Sequence, residues 1–184
     1  MRRVSTRWTS DTAASALMAL SSADGAVAEV PKFAEADEKR AWSLIEDVEL
    51  QLRARVLAAA RTKWGDHAER SIVGLLGENQ RTALEGLRTK HKAAYPLSTE
   101  KPATTLLDYF YLGQLVEVML TNDLWGEFKA IFREKDALQR LVAPVSKVRN
   151  DRAHFRAVPD KELQRCIIAC DDLLTHLRAT GGEG

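Results

Sequence analysis

From Ala34 to Trp64 the chain contains neither glycine nor proline, and Ala41, Leu44, Ile45, Val48, Leu52, Val56 and Ala59 recur at helical spacing. No other feature constrains the fold as much. It predicts a long amphipathic helix whose apolar stripe is buried. Gly65 follows, as expected just past a helix end. Asp66 is placed to cap a second helix carrying Ile72, Val73, Leu75 and Leu76, with a break near Gly77. A further helical stretch spans about Asn79 to Ala94. Tyr95-Pro96 opens a loop that lasts to about Ala103.

The next predicted helix, about Thr104 to Leu120, is the most hydrophobic segment. Its apolar residues go nearly all round, which suits a domain core, a dimer interface, or both. A short helix near Leu124 to Phe132 presents Trp125 and Phe128. Asp136 then opens a helix whose core stripe is Leu138, Leu141, Val142, Val145 and Val148; Pro144 inside it predicts a kink or a boundary. Pro159 starts the last helix, lined by Leu163, Ile167, Cys170, Leu174 and Leu177 and ended by Thr180-Gly181-Gly182. There is no strand-like alternation and no internal repeat. The fold class is therefore all-α: one helical domain, 34–180, behind an N-terminal arm, 1–33, with a short helix near Thr12 to Leu20. Trp42, Trp64 and Trp125 read as core or interface anchors.

The length of 184 residues suits one domain. A net charge of +1 excludes a general nucleic-acid-binding polycation, so any such function needs a local patch. No run of eighteen apolar residues exists, so no membrane span is expected. Arg2, Arg3 and Arg7 before an Ala-rich stretch loosely mimic a signal peptide, but the apolar run is short and Trp8 and Asp11 interrupt it; the chain reads as cytoplasmic. Cys166 and Cys170 are too few for a disulfide scaffold and read as core side chains. No metal site is expected: His67, His91 and His176 lack ligand spacing.

The local patch is found between Lys129 and Arg156. Eight Lys and Arg against three Asp and Glu give +5, while the rest of the chain sums to −4. On one helix Arg149, Arg152 and Arg156 form a stripe, with Asn150 and His154 at i, i+4 beside it. Arg presents a donor fork that matches phosphate. His titrates near neutral pH and moves protons. Asn orients either. Together they meet the needs of metal-free RNA transesterification, in which the 2′-hydroxyl loses a proton, the phosphorane is stabilised and the 5′-oxygen gains a proton. Arg149 and His154 lie five apart, about 140° around a regular helix. They converge only if the helix is distorted here or a second copy supplies one of them.

The segment Val148-Arg149-Asn150-Asp151-Arg152-Ala153-His154 resembles the signature of the HEPN superfamily: Arg, a polar residue that is often Asn, and a His after four intervening residues. The context is similar too, near the end of a helical domain and followed by one more helix. The resemblance covers roughly residues 37 to 178. It implies a HEPN-like helical bundle that dimerises and places two motifs in a shared cleft. It also implies a metal-independent endoribonuclease, needing no cofactor, that leaves a 2′,3′-cyclic phosphate and a 5′-hydroxyl. Arg149 and His154 carry over as catalytic residues and Asn150 as their polar support. Arg152, Arg156 and Lys147 are the expected RNA-binding cations. Many members act in toxin–antitoxin or antiphage systems, which implies an antitoxin or defence-system partner. One departure is Arg156, two residues after the His, where a toxin subfamily carries a nucleotidylated Tyr.

Two other readings stay open. Some HEPN domains are non-catalytic dimerisation or ligand-binding modules. In the other reading the motif is coincidental, and Arg149 pairs with a carboxylate such as Asp151 or Glu46. Glu46, Asp47 and Glu49 read as a solvated helix face. Asp108 is placed either to cap the apolar helix or to approach the motif.

Overall fold

The computed structural model describes residues 32–94 and 105–179. The chain divides into two units, Met1–Glu35 and Ala36–Gly184, and the second carries the core and the sites below. The expected arm with its short helix, the 95–103 loop and the Thr180-Gly181-Gly182 stop lie outside the described residues. Helix α1 runs Lys32–Trp64, and a 3-10 turn, Gly65–His67, leads into α2, Ala68–Gly74. Helix α3 is Glu78–Ala94, a 3-10 turn spans Leu106–Tyr109, and α4 is Leu112–Leu120. Helices α5, Trp125–Phe132, α6, Lys135–Ala153, and α7, Asp160–Ala179, complete the described residues. Among these there is no strand, so the protein is all-α as expected.

The α1 stripe is buried as its spacing requires: Ala41, Ile45, Val48, Leu52, Val56 and Ala59. These side chains join Leu138, Val142, Val145 and Val148 of α6 and Leu163, Ile167, Cys170, Leu174 and Leu177 of α7 in one core. Helices α6 and α7 pack along each other, and α4 and α5 pack on α6. Each large apolar side chain fully buried here contributes roughly 1.5–3 kcal/mol. Gly65 adopts φ 55, the left-handed conformation that ends α1 without a Cβ clash. Helix α6 runs unbroken through Pro144, so the expected boundary is absent; buried Val142 and Val145 on either side fix the backbone there. No helix among the described residues is long and apolar enough to cross a membrane.

Two local expectations are corrected. Asp66 lies within the 3-10 turn and His67 precedes α2, with no side-chain cap. The expected helix from Thr104 to Leu120 is not continuous. Asp108 turns back to accept from the Thr105 N–H at 3.2 Å and its hydroxyl at 3.3 Å. Phe110 and Tyr111 are extended, and Gln114 accepts from the Tyr111 N–H at 2.9 Å. Arg53 of α1 completes the break by donating to the Leu107 and Phe110 carbonyls, each at 3.1 Å. Those carbonyls would otherwise serve a continuing helix. The α4 residues Leu115, Val118 and Met119 are fully buried, while Gly113 and Glu117 are exposed, so α4 keeps an open side.

Candidate functional site

The motif occupies the last turn of α6 and the residues after it. The helix ends at Ala153 with a Schellman arrangement: Phe155 N–H donates to Arg152 O at 2.9 Å, and Arg156 N–H to Asp151 O at 2.8 Å. His154 is the half-helical residue at the end, with φ −104, and its N–H is shared by the Asn150 and Asp151 carbonyls at 3.2 Å each. Phe155 takes φ 56, the place that this helix ending usually gives to glycine. The expected Arg149–Arg152–Arg156 stripe therefore stops at Arg152, because Arg156 lies beyond the helix. The distortion near His154 is real, and it is a helix end.

Arg149 is held firmly. Its Nε donates to Glu49 of α1 at 3.2 Å, and both side chains are largely buried, at 21% and 19% exposure. Its guanidinium lies 4.5 Å from the Tyr111 ring centre, a cation–π distance. The guanidinium is thus gripped through one edge and one face; its two Nη groups have no partner among the described residues. Glu49 is the residue that sequence reasoning missed. It was grouped with Glu46 and Asp47, which are exposed, and its i, i+1 neighbours Val48 and Leu50 gave no sign that it turns inward.

Arg149 borders two clefts of about 510 Å³ each. One contains Glu49, Arg53, Asp108 and Tyr109; the other contains Gln80, Gln114, Ser146 and Asn150. Asp108 closes on Thr105 at the start of the 3-10 turn rather than capping the apolar helix, and it lines the first cleft with Arg149. Arg152 and Arg156 instead line a third cleft of about 590 Å³ with Trp42 and Phe155. His154 lines none of the three and is exposed, and its imidazole has no partner among the described residues. Arg149 and Asn150 line one cleft together, and His154 lines neither of the clefts that Arg149 borders.

Each expected RNA-binding cation has a carboxylate partner. Lys147 pairs with Glu162 at 2.9 Å, Arg156 with Asp151 at 3.4 Å, and Arg152 with Glu38. The Lys147 hydrogen bond, opposed by some desolvation and aided by Arg165, holds the Glu162 carboxyl below its usual range. Arg152 also lies 5.3 Å from the Trp42 ring centre, and Trp42 is 40% exposed. Trp64 and Trp125 pack against the core, so of the three tryptophans Trp42 alone lies open. Cys166 and Cys170 are buried as expected, with sulfurs 4.0 Å apart. Their contact and burial push the Cys170 thiol far up, so it stays protonated and inert.

Comparison with family models, with curated proteins and with solved structures returned no match.

Proposed function

We propose that the protein is a metal-independent endoribonuclease, acting in a toxin or defence role, whose active site is completed by two copies of the motif. The observation that carries this reading is the pairing of two complementary groups on one helix end. Arg149 keeps both Nη groups unpartnered while Glu49 and Tyr111 fix its orientation, and His154 offers an exposed imidazole with no partner among the described residues. The first suits a phosphorane oxygen, the second a proton.

In the reaction, the 2′-oxygen attacks the adjacent phosphorus and gives its proton to a base. The bond from phosphorus to the 5′-oxygen breaks, and that oxygen takes a proton. A 2′,3′-cyclic phosphate and a 5′-hydroxyl result. Arg149 stabilises the charge that develops on the non-bridging oxygens, Asn150 orients the phosphate beside it, and His154 moves the proton. His154 lines neither cleft that Arg149 borders, so in this proposal a second copy supplies it to each Arg149.

The test is incubation of the protein with total RNA in EDTA and mapping of the cut ends. Cyclic-phosphate ends that vanish in both Arg149→Ala and His154→Ala support the reading, and cleavage that persists in both variants sinks it.

A second reading is favoured by one observation. The Arg149–Glu49 pair joins α6 to α1 in a partly buried setting, as a structural arginine in an assembly module would, and a carboxylate partner for Arg149 is equally what a coincidental motif would show. That reading expects no cleavage, and loss of dimer in sedimentation when Arg149 is removed.

A further inference from the structure

Trp42, Arg152, Phe155 and Arg156 surround the open cleft at the end of α6. Phe155 breaks two rules at once. It adopts φ 56 where a side chain is strained and glycine is favoured, and its ring is 99% exposed. It gains no packing in return. Trp42 presents a second half-open ring, with the Arg152 guanidinium 5.3 Å from its centre.

The cations beside these rings are held loosely. The Arg152–Glu38 and Arg156–Asp151 pairs are solvent-exposed on the arginine side, the kind of pair that exchanges at small cost. Open aromatic faces next to exchangeable guanidinium forks match one ligand chemistry, an unpaired base and its flanking phosphates. A duplex hides its base faces and cannot use such rings. An apolar protein partner would use Phe155 but would have to bury the Arg152–Glu38 and Arg156–Asp151 ion pairs, whose desolvation is costly.

We infer that this cleft is a stacking subsite for an unpaired base of single-stranded RNA, with Phe155 and Trp42 as the stacking rings and Arg152 and Arg156 on the phosphates. The subsite adjoins His154 in sequence, so a strand anchored on Phe155 passes the imidazole. This last step rests on the nuclease reading; the stacking does not.

The test is fluorescence anisotropy with a labelled RNA, as a single strand and as a blunt duplex, on the full His154→Ala chain. Phe155→Gly in that background is expected to weaken the single strand about tenfold and to leave the duplex unchanged. Its melting temperature is expected to be no lower than the parent's, which separates lost stacking from unfolding. Trp42→Leu, on α1, provides the same contrast independently. Equal loss on both RNAs, no loss on either, or no RNA binding at all overturns the subsite. So does loss of a dimer in Phe155→Gly with RNA affinity intact, which would give the cleft to a second copy. A parent chain that never cleaves, yet loses single-strand affinity through Phe155→Gly, fails as a nuclease and keeps the subsite. One that cleaves with affinity unchanged keeps the nuclease reading and loses the subsite.

Discussion

At the scale of single residues, Phe155 shows a conflict between folding and use. A left-handed non-glycine residue costs roughly 1–2 kcal/mol relative to glycine, and the extra freedom of an unfolded glycine offsets part of this. Phe155→Gly is therefore expected to stabilise the chain by about 1 kcal/mol, read as a higher urea midpoint at constant slope. A lower midpoint would mean that the ring is packed in solution. Arg149, Asn150 and His154 stand out in the sequence as candidates because the chemistry they could do is written in residue type and spacing. Glu49 was not, since its partner lies a hundred residues away and nothing in its neighbourhood distinguishes it from Glu46. Phe155 escaped for a different reason: its significance depends on where α6 ends, to within one residue, and sequence patterns do not fix helix ends so closely.

At the scale of elements, the helices came through where one apolar stripe governs them. The α1, α6 and α7 stripes are the buried ones, nearly residue for residue. The failure between Thr104 and Leu120 has a definite cause. Its apolar residues fall on nearly every side, so no single face marks where a helix stops, and the break is held from outside by Arg53. Those two charged hydrogen bonds hold the Phe110–Tyr111 segment on which the Arg149 guanidinium rests. Arg53→Met is expected to cost about 2 kcal/mol and, under the proposed nuclease function, to lower the cleavage rate as well, because Tyr111 loses its place. Urea melts together with single-turnover cleavage check both; full stability would show that the two bonds are idle. The α6–α7 seam offers a pH test. The Glu162 carboxyl is depressed chiefly by Lys147, so its contribution is fully present above the unfolded value of about 4.3 and is lost as the pH falls through the lower folded value. The stability difference between the parent and Glu162→Gln should therefore shrink on acidification. A difference that stays constant with pH would remove Lys147 as its cause.

At the scale of the whole molecule, the proposed nuclease raises one question, whether Arg149 and His154 act within one chain or across two. Equimolar Arg149→Ala and His154→Ala chains, unfolded and refolded together, test it. If each site pairs Arg149 of one chain with His154 of another, half of the dimers are mixed and each holds one intact site of two. About a quarter of the parent activity should return. Sites formed within one chain return none, and activity in each variant alone would dismiss both arrangements. In the sequence, the five-residue separation of Arg149 and His154 leaves two arrangements open, a distorted helix or a second copy. The helix end at Ala153, which supplies the distortion, is not legible there.

The carboxylates that accompany the motif's cations have a thermodynamic consequence. Glu38, Asp151 and Glu162 already occupy the charges that an RNA strand would seek. Binding there becomes an exchange of one anion for another, and the displaced carboxylates recruit cations from solution as the phosphates shed theirs. Net ion release per arginine engaged is then smaller than on a bare basic surface, so affinity falls less steeply with added salt. Discrimination shifts from overall charge to the bases themselves, in a protein whose net charge is only +1.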